Sequence, residues 1–207
     1  MIKKVLVLAT CMVFLLAGAA QADYLKATWI GGVGVSITDP PGSGTGFGTL
    51  VGPVVVSFGP TNTNFINYDA LCVDYATISQ NTWYDNFTMI PISSEVYKEA
   101  AYIFANFGNG PLSQLAVWEV VFEQFTTGGS ANTLQMGGTQ GKFYVTSNPN
   151  SLDLAAADLM VQNALNFGAD FDASSFRLLV SPSSVTGAAA SEHYGEVVWV
   201  VWTGNRD

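Results

Sequence analysis

The sequence predicts an α+β protein: a β-sandwich or barrel-like sheet unit with an inserted set of about three helices. Three observations carry this. The first ninety residues alternate short apolar runs with glycine- and proline-rich turns, the pattern of an all-β unit. From Glu95 to Phe167 the apolar residues return at helical spacing, in three stretches. Strand character then resumes at Phe176–Val180 and in the nearly continuous run Val197-Val198-Trp199-Val200-Val201-Trp202, which suits a strand covered on both faces.

In chain order, Lys3 and Lys4 precede a mostly apolar run from Val5 to Ala20, and Ala20-Gln21-Ala22 offers a small-x-small cleavage site. This is a secretory signal, so residues 1–22 are expected to be a signal peptide and residues 23–207 one exported domain. Cys11 lies inside the apolar run, where lipidation is not expected. Removal of the signal leaves 5 basic residues against 16 acids, a net charge of −11. That balance disfavours nucleic acid and anionic membrane as partners. No apolar run in the mature chain is long enough to predict a membrane span.

Ala27 to Ile37 alternates loosely around Trp29, Ile30, Val33 and Val35, with glycines that suggest one bent or edge strand. Residues 39–48 are a loop of Pro, Gly, Ser and Thr. Thr49–Phe58 predicts a second strand, Gly59–Asn64 a turn, Phe65–Ile78 a third strand that contains Cys72, and Trp83–Ile90 a fourth.

Ser93 or Ser94 can cap a helix from Glu95 to about Phe107, with Val96, Ala100, Ile103 and Phe107 on one face. Gly108-Asn109-Gly110 closes it. Pro111 suits the first position of the next helix, which runs to about Phe125 with Leu112, Leu115, Ala116, Trp118, Val121 and Phe122 on one broad apolar face. Thr126–Gly141 predicts a long loop. Ser151 is placed to cap a third helix, Leu152–Phe167, with Leu154, Leu159, Ala164 and Leu165 inward.

The mature chain keeps one cysteine, Cys72, which excludes an intramolecular disulfide and demands another account in an oxidising compartment. It stands in Leu71-Cys72-Val73-Asp74-Tyr75. Gln114 stands in the first turn of the second helix, in Ser113-Gln114-Leu115-Ala116-Val117-Trp118. An amide there can hydrogen-bond the loop it faces, or its carbonyl carbon can be attacked by a thiol.

The two motifs, in this order, resemble those of the thioester-domain family of bacterial surface proteins, and equally those of related exported Cys-Val-Asp / Gln-x-Ala-Val-Trp proteins of Gram-negative bacteria. The resemblance covers two short motifs in the middle third of the chain. It implies that Cys72 and Gln114 condense with loss of ammonia into an internal thioester, with Asp74, Tyr75, Ser113 and Trp118 around the bond. It further implies an adhesin-like function: covalent bonding, once per molecule, to a nucleophile on a surface protein or polysaccharide. Such a protein is not an enzyme and needs no cofactor. Chemically, the start of a helix offers N–H groups for the oxyanion of the thiol attack, and Trp118, one turn on, is placed to shield the bond.

No sorting tail or wall anchor follows at the C-terminus, so the expected location is secreted or at the cell surface, with the periplasm as the other compartment. The alternative is a structural or matrix-associated exported protein in which Cys72 and Gln114 only pack and hydrogen-bond. A third possibility is a cysteine hydrolase built on Cys72 and His193, the one histidine. Asp153, Asp158, Asp170 and Asp172 fit no EF-hand spacing and are expected to be solvated helix-end charges, so no metal site is expected. Gly31-Gly32-Val33-Gly34 precedes no helix and is not a nucleotide motif.

Overall fold

The computed structural model describes residues 23–38, 46–73, 81–127, 143–181 and 198–204. The expected signal peptide, most of the loop expected at 39–48, Asp74, Tyr75 and His193 lie outside the described residues.

Nine strands and three helices are described: β1 Asp23–Trp29, β2 Val33–Thr38, β3 Gly46–Val51, β4 Val54–Thr61, β5 Asn64–Cys72, β6 Tyr84–Pro91, α1 Glu95–Phe107, α2 Pro111–Thr127, β7 Val145–Ser147, α3 Leu154–Phe167, β8 Phe176–Val180 and β9 Val198–Trp202. Six strands close an antiparallel barrel in the order β1-β4-β5-β9-β8-β6. A separate sheet has the order β3-β2-β7. The helices are inserted between β6 and β8, as expected, and of the two sheet forms anticipated the larger sheet takes the barrel form.

Two expected strands are each two. The Ala27–Ile37 stretch breaks at Gly31, whose φ of +74° is a left-handed conformation that glycine adopts at little cost. The chain leaves the barrel there as β1 and enters the small sheet as β2. It returns at Gly52-Pro53, which divides the Thr49–Phe58 stretch into β3 and β4. Alternation within each half was legible, but a change of sheet leaves the alternation intact, so periodicity alone could not show it.

The helical layer needs two further corrections. Asp153, not Ser151, caps α3: its carboxylate accepts from the N–H of Ala156 at 3.1 Å. Ser151 stands before the helix with φ +53°. The buried residues of α3 are Ala157, Val161 and Ala164, whereas Leu159 is 61 % exposed. The small residues face inward, Ala157 toward Leu115, Trp118 and Phe122 of α2, and Val161 and Ala164 toward the core shared with α1; a Cβ at Gly168 would stand 2.7 Å from the Cα of Glu99.

The helix α2 has no single apolar face. Every residue from Leu115 to Phe122 is buried. Ala116, Val117, Val120 and Val121 join Leu71, Val73 and Val200 of the barrel wall and residues of α1 and α3. Leu115, Trp118 and Phe122 turn instead to Val35, Ile37, Val51, Phe143 and Val145, the core under the small sheet. An all-round apolar helix is a central one. Because α2 sits between two cores, its first turn is held against the end of β5.

Candidate functional site

The barrel wall sorts β5 by alternation. Leu71 and Val73 face the helices, while Ala70 and Cys72 face the barrel interior. Cys72 is the last residue of β5 and is 4 % exposed. It lies opposite Trp199 of β9. On the other side of β5, the pairing with β4 ends at Val54↔Ala70, two residues earlier. The N–H and C=O of Cys72 thus lie beyond the last partner that β4 supplies, in a buried position where unmet backbone groups are costly.

Gln114 fills that place. Its side chain is wholly buried. The N–H of Cys72 donates to Gln114 Oε1 at 3.0 Å, and Gln114 Nε2 donates to the C=O of Cys72 at 2.5 Å. The amide therefore acts as a one-residue extension of β4, presenting an acceptor and a donor to one strand residue as a paired strand would. It meets the end of a strand, where the sequence had suggested a loop. The 42-residue separation of the pair is closed by the barrel wall on one side and α2 on the other.

Three local features set the position of Gln114. Pro111 begins α2, and the Gln114 N–H closes the first turn on the C=O of Gly110 at 3.0 Å. Ser113, also buried, donates its hydroxyl to the C=O of Phe107 at 3.3 Å, tying the start of α2 to the end of α1. Leu115, next in line, anchors the other side in the small-sheet core. Trp118 is buried in that same core, its ring 6.4 Å from the ring of Phe143. Of the residues expected around the pair, the structure brings Cys72, Gln114 and Ser113 to one junction and seats Trp118 in the small-sheet core. Asp74 and Tyr75 lie outside the described residues.

Oε1 already accepts a backbone N–H, so negative charge developing on that oxygen would meet a preorganised donor. That donor is the Cys72 N–H itself, where the sequence had pointed to N–H groups of the helix start. On the interior side, Cys72 belongs to a cluster with Leu25, Ala27, Val54, Val56, Phe58, Ala70, Phe87, Leu179, Trp199 and Val201. Trp29, Tyr68, Tyr84 and Met89 pack against it, and burial pushes the Tyr68 hydroxyl up, keeping it protonated. The sulfur thus lies in a dry, apolar environment from which water is largely excluded.

Two carboxylates escaped the sequence reading. Glu119 is fully buried in α2 and Glu99 is 5 % exposed in α1. The available signal was Glu119 set alone in Val117-Trp118-Glu119-Val120-Val121, a charge with apolar neighbours on both sides. Among the described residues no three His, Cys, Asp or Glu side chains gather as metal ligands. Asp153 caps α3, and Asp172 accepts from the N–H of Ser174, which holds its carboxyl below the usual range. Among the described residues no helix is long and apolar enough to cross a membrane.

Comparison of the chain with protein-family models, with curated proteins and with solved structures gives no match.

Proposed function

We propose that this chain is an exported bacterial interaction protein in which Cys72 and Gln114 form an internal thioester that bonds covalently to a nucleophile on a partner. The observation that carries the proposal is the double hydrogen bond between the Gln114 amide and the backbone of Cys72, both residues being buried. It keeps the amide carbon beside the residue that bears the thiol, and so supplies the proximity on which such a reaction depends.

The step is a condensation. Cys72 Sγ attacks Gln114 Cδ, and the charge that gathers on Oε1 is met by the Cys72 N–H. The Cδ–Nε2 bond then breaks. The proton lost by the thiol leaves with the amino group, so that ammonia departs and the S–C bond remains. Nε2 gives up its hydrogen bond to the Cys72 C=O, while Oε1 keeps the one it accepts. A later amine or hydroxyl would attack the same carbon and release the thiol. The partner nucleophile would belong to a surface protein or polysaccharide. The signal sequence and the acidic composition support a secreted or cell-surface location, with the periplasm as the alternative. The molecule acts once, so no enzymatic turnover is expected.

A second reading is favoured by the same contact. Two buried backbone groups at the end of β5 need partners, and the Gln114 amide satisfies both without any covalent chemistry. In that case the chain is a structural or matrix-associated exported protein. Intact mass of the exported protein separates the two, because the thioester form is lighter by one ammonia.

A further inference from the structure

The outer face of the barrel carries a cation that no carboxylate holds. In β1, Leu25 and Ala27 belong to the interior cluster, so Lys26 and Thr28 face outward. Lys26 stands opposite Ser57 of β4, and Ser57 opposite Asn67 of β5, so the three form one cross-strand row on that face. The Lys26 ammonium lies 5.8 Å from the ring centroid of Phe65 and 5.0 Å from that of Trp83. The two rings are 5.2 Å apart and tilted by 55°. Among the described residues no carboxylate pairs with Lys26. The mature chain has 16 acids to 5 bases, so a cation left to two aromatic faces is unexpected.

The backbone brings these parts together. Gly59 of β4 leaves room for Phe65, since a Cβ there would stand 2.7 Å from the Phe65 Cα. The N–H of Asn81 donates to the C=O of Ala27 at 3.0 Å and ties the segment bearing Trp83 to β1. An exposed amide stands two residues from each ring. The Ser57 hydroxyl, 5 % exposed, donates to Asn67 Oδ1 at 2.7 Å. The Thr28 hydroxyl donates to Asn81 Oδ1 at 2.9 Å. Each amide carbonyl is thus engaged within the protein, and each Nδ2 is left to offer its hydrogens outward.

The site therefore presents donors beside ring faces: one ammonium, two amide NH2 groups, and Phe65, which is 38 % exposed. The ammonium suits a carboxylate, and the amides suit further oxygen acceptors. The negative face of an aromatic ring suits the C–H face of a pyranose. A uronic acid unit combines all three. We propose that Lys26, Phe65, Asn67, Asn81 and Trp83 dock a hexuronic acid unit of an acidic polysaccharide without a covalent bond. This narrows the partner class of the proposed function and rests on that reading only for a polysaccharide partner, not for the thioester. Asn67 precedes Cys72 in β5 and faces the other side of the barrel wall, so docking leaves the junction with Gln114 untouched. The acidic chain repels a polyanion at a distance, but at physiological salt that field is screened over about 8 Å, and the local donors decide at contact.

The test is calorimetric titration of wild type and Cys72→Ala with tetramers of galacturonate, glucuronate and mannuronate. Cellotetraose is the neutral sugar, and tetraglutamate supplies carboxylates without a sugar ring. At least one uronate tetramer is expected to bind, equally well in both proteins. Lys26→Met keeps the stem over the rings and removes the charge; it should weaken binding roughly tenfold, and Phe65→Ala should do the same. Lys26→Arg should retain binding. Phe107→Ala, which removes an exposed ring from α1, should change nothing. Unfolding midpoints check that each variant is folded, and the Lys26 pair decides even where loss of a ring does not leave a stable protein. Binding of none of the uronates would overturn the proposal and leave Lys26 as a cover for two rings. Equal binding of cellotetraose with Lys26→Met silent would overturn it in favour of a neutral-sugar platform. Equal binding of tetraglutamate would reduce the site to a bare cation. Lys26-dependent uronate binding by protein of full unmodified mass would uphold the docking site while removing the thioester.

Discussion

The side-chain amide of Gln114 and the backbone of Cys72 form a closed pair of hydrogen bonds, N–H to Oε1 and Nε2–H to C=O, at the point where β4 stops covering β5. The stability and the chemistry of the junction therefore rest on different atoms. Gln114→Ala leaves two buried backbone groups unmet and should destabilise the fold by about 2–4 kcal/mol. Cys72→Ala removes only a sulfur from an apolar cluster and should cost about 1 kcal/mol. Urea unfolding of the two variants, each against wild type opened by methylamine, checks this order. Equal losses would mean that the amide does not complete the strand edge.

Gly168 follows α3 where it crosses α1. A Cβ there would stand 2.6 Å from the C=O oxygen of Ala164 and 2.7 Å from the Cα of Glu99. Both are backbone atoms that cannot swing aside. Gly168→Ala should lower stability by about 1–3 kcal/mol, read by thermal or urea unfolding. A neutral result would show that α1 and α3 are not held this closely.

Asp153→Ala removes the cap of α3 and should destabilise by about 1 kcal/mol, whereas Ser151→Ala should have little effect. Parallel unfolding curves of the two variants decide which residue is the cap.

The Asp172 carboxylate accepts the N–H of Ser174, and its pKa is lowered in the folded state. A depressed carboxyl contributes stability above its unfolded pKa, and the contribution is lost as pH falls through the folded value. Asp172→Ala should therefore lie further from wild type at neutral pH than in strong acid. The group is exposed, so the gap is small; unfolding midpoints across the acid range check its sign.

What could be read from the sequence was local. Pro111, the Gly108-Asn109-Gly110 stop and the helical recurrence of apolar residues placed α1 and α2 within a residue or two. The strand character of residues around Cys72 was also legible. The positions of Ser151 and Leu159 misled because a hydroxyl before an apolar run and a large aliphatic side chain are average preferences. The actual cap was decided by which side chain reaches the first-turn N–H groups, Asp153 to Ala156, and the inward face by how α3 packs on its neighbours, as at Gly168 and Glu99. The pairing of β5 with β4 is a local hairpin, but its pairing with β9 joins segments more than a hundred residues apart, and no local pattern encodes it. For Cys72 and Gln114, motif order suggested proximity. That the amide grips the backbone of Cys72, and that Trp199 of β9 stands opposite Cys72, follow only from the closed barrel.

The most direct test of the central claim is the intact mass of the exported wild-type protein before and after exposure to methylamine, with Cys72→Ala and Gln114→Ala alongside. An internal thioester makes the untreated wild type lighter than its sequence by one ammonia. Methylamine then adds its own mass and frees one thiol, and neither variant shows the deficit or the uptake. Wild type of full unmodified mass that takes up no amine would contradict the thioester and leave Gln114 as the structural end of a strand.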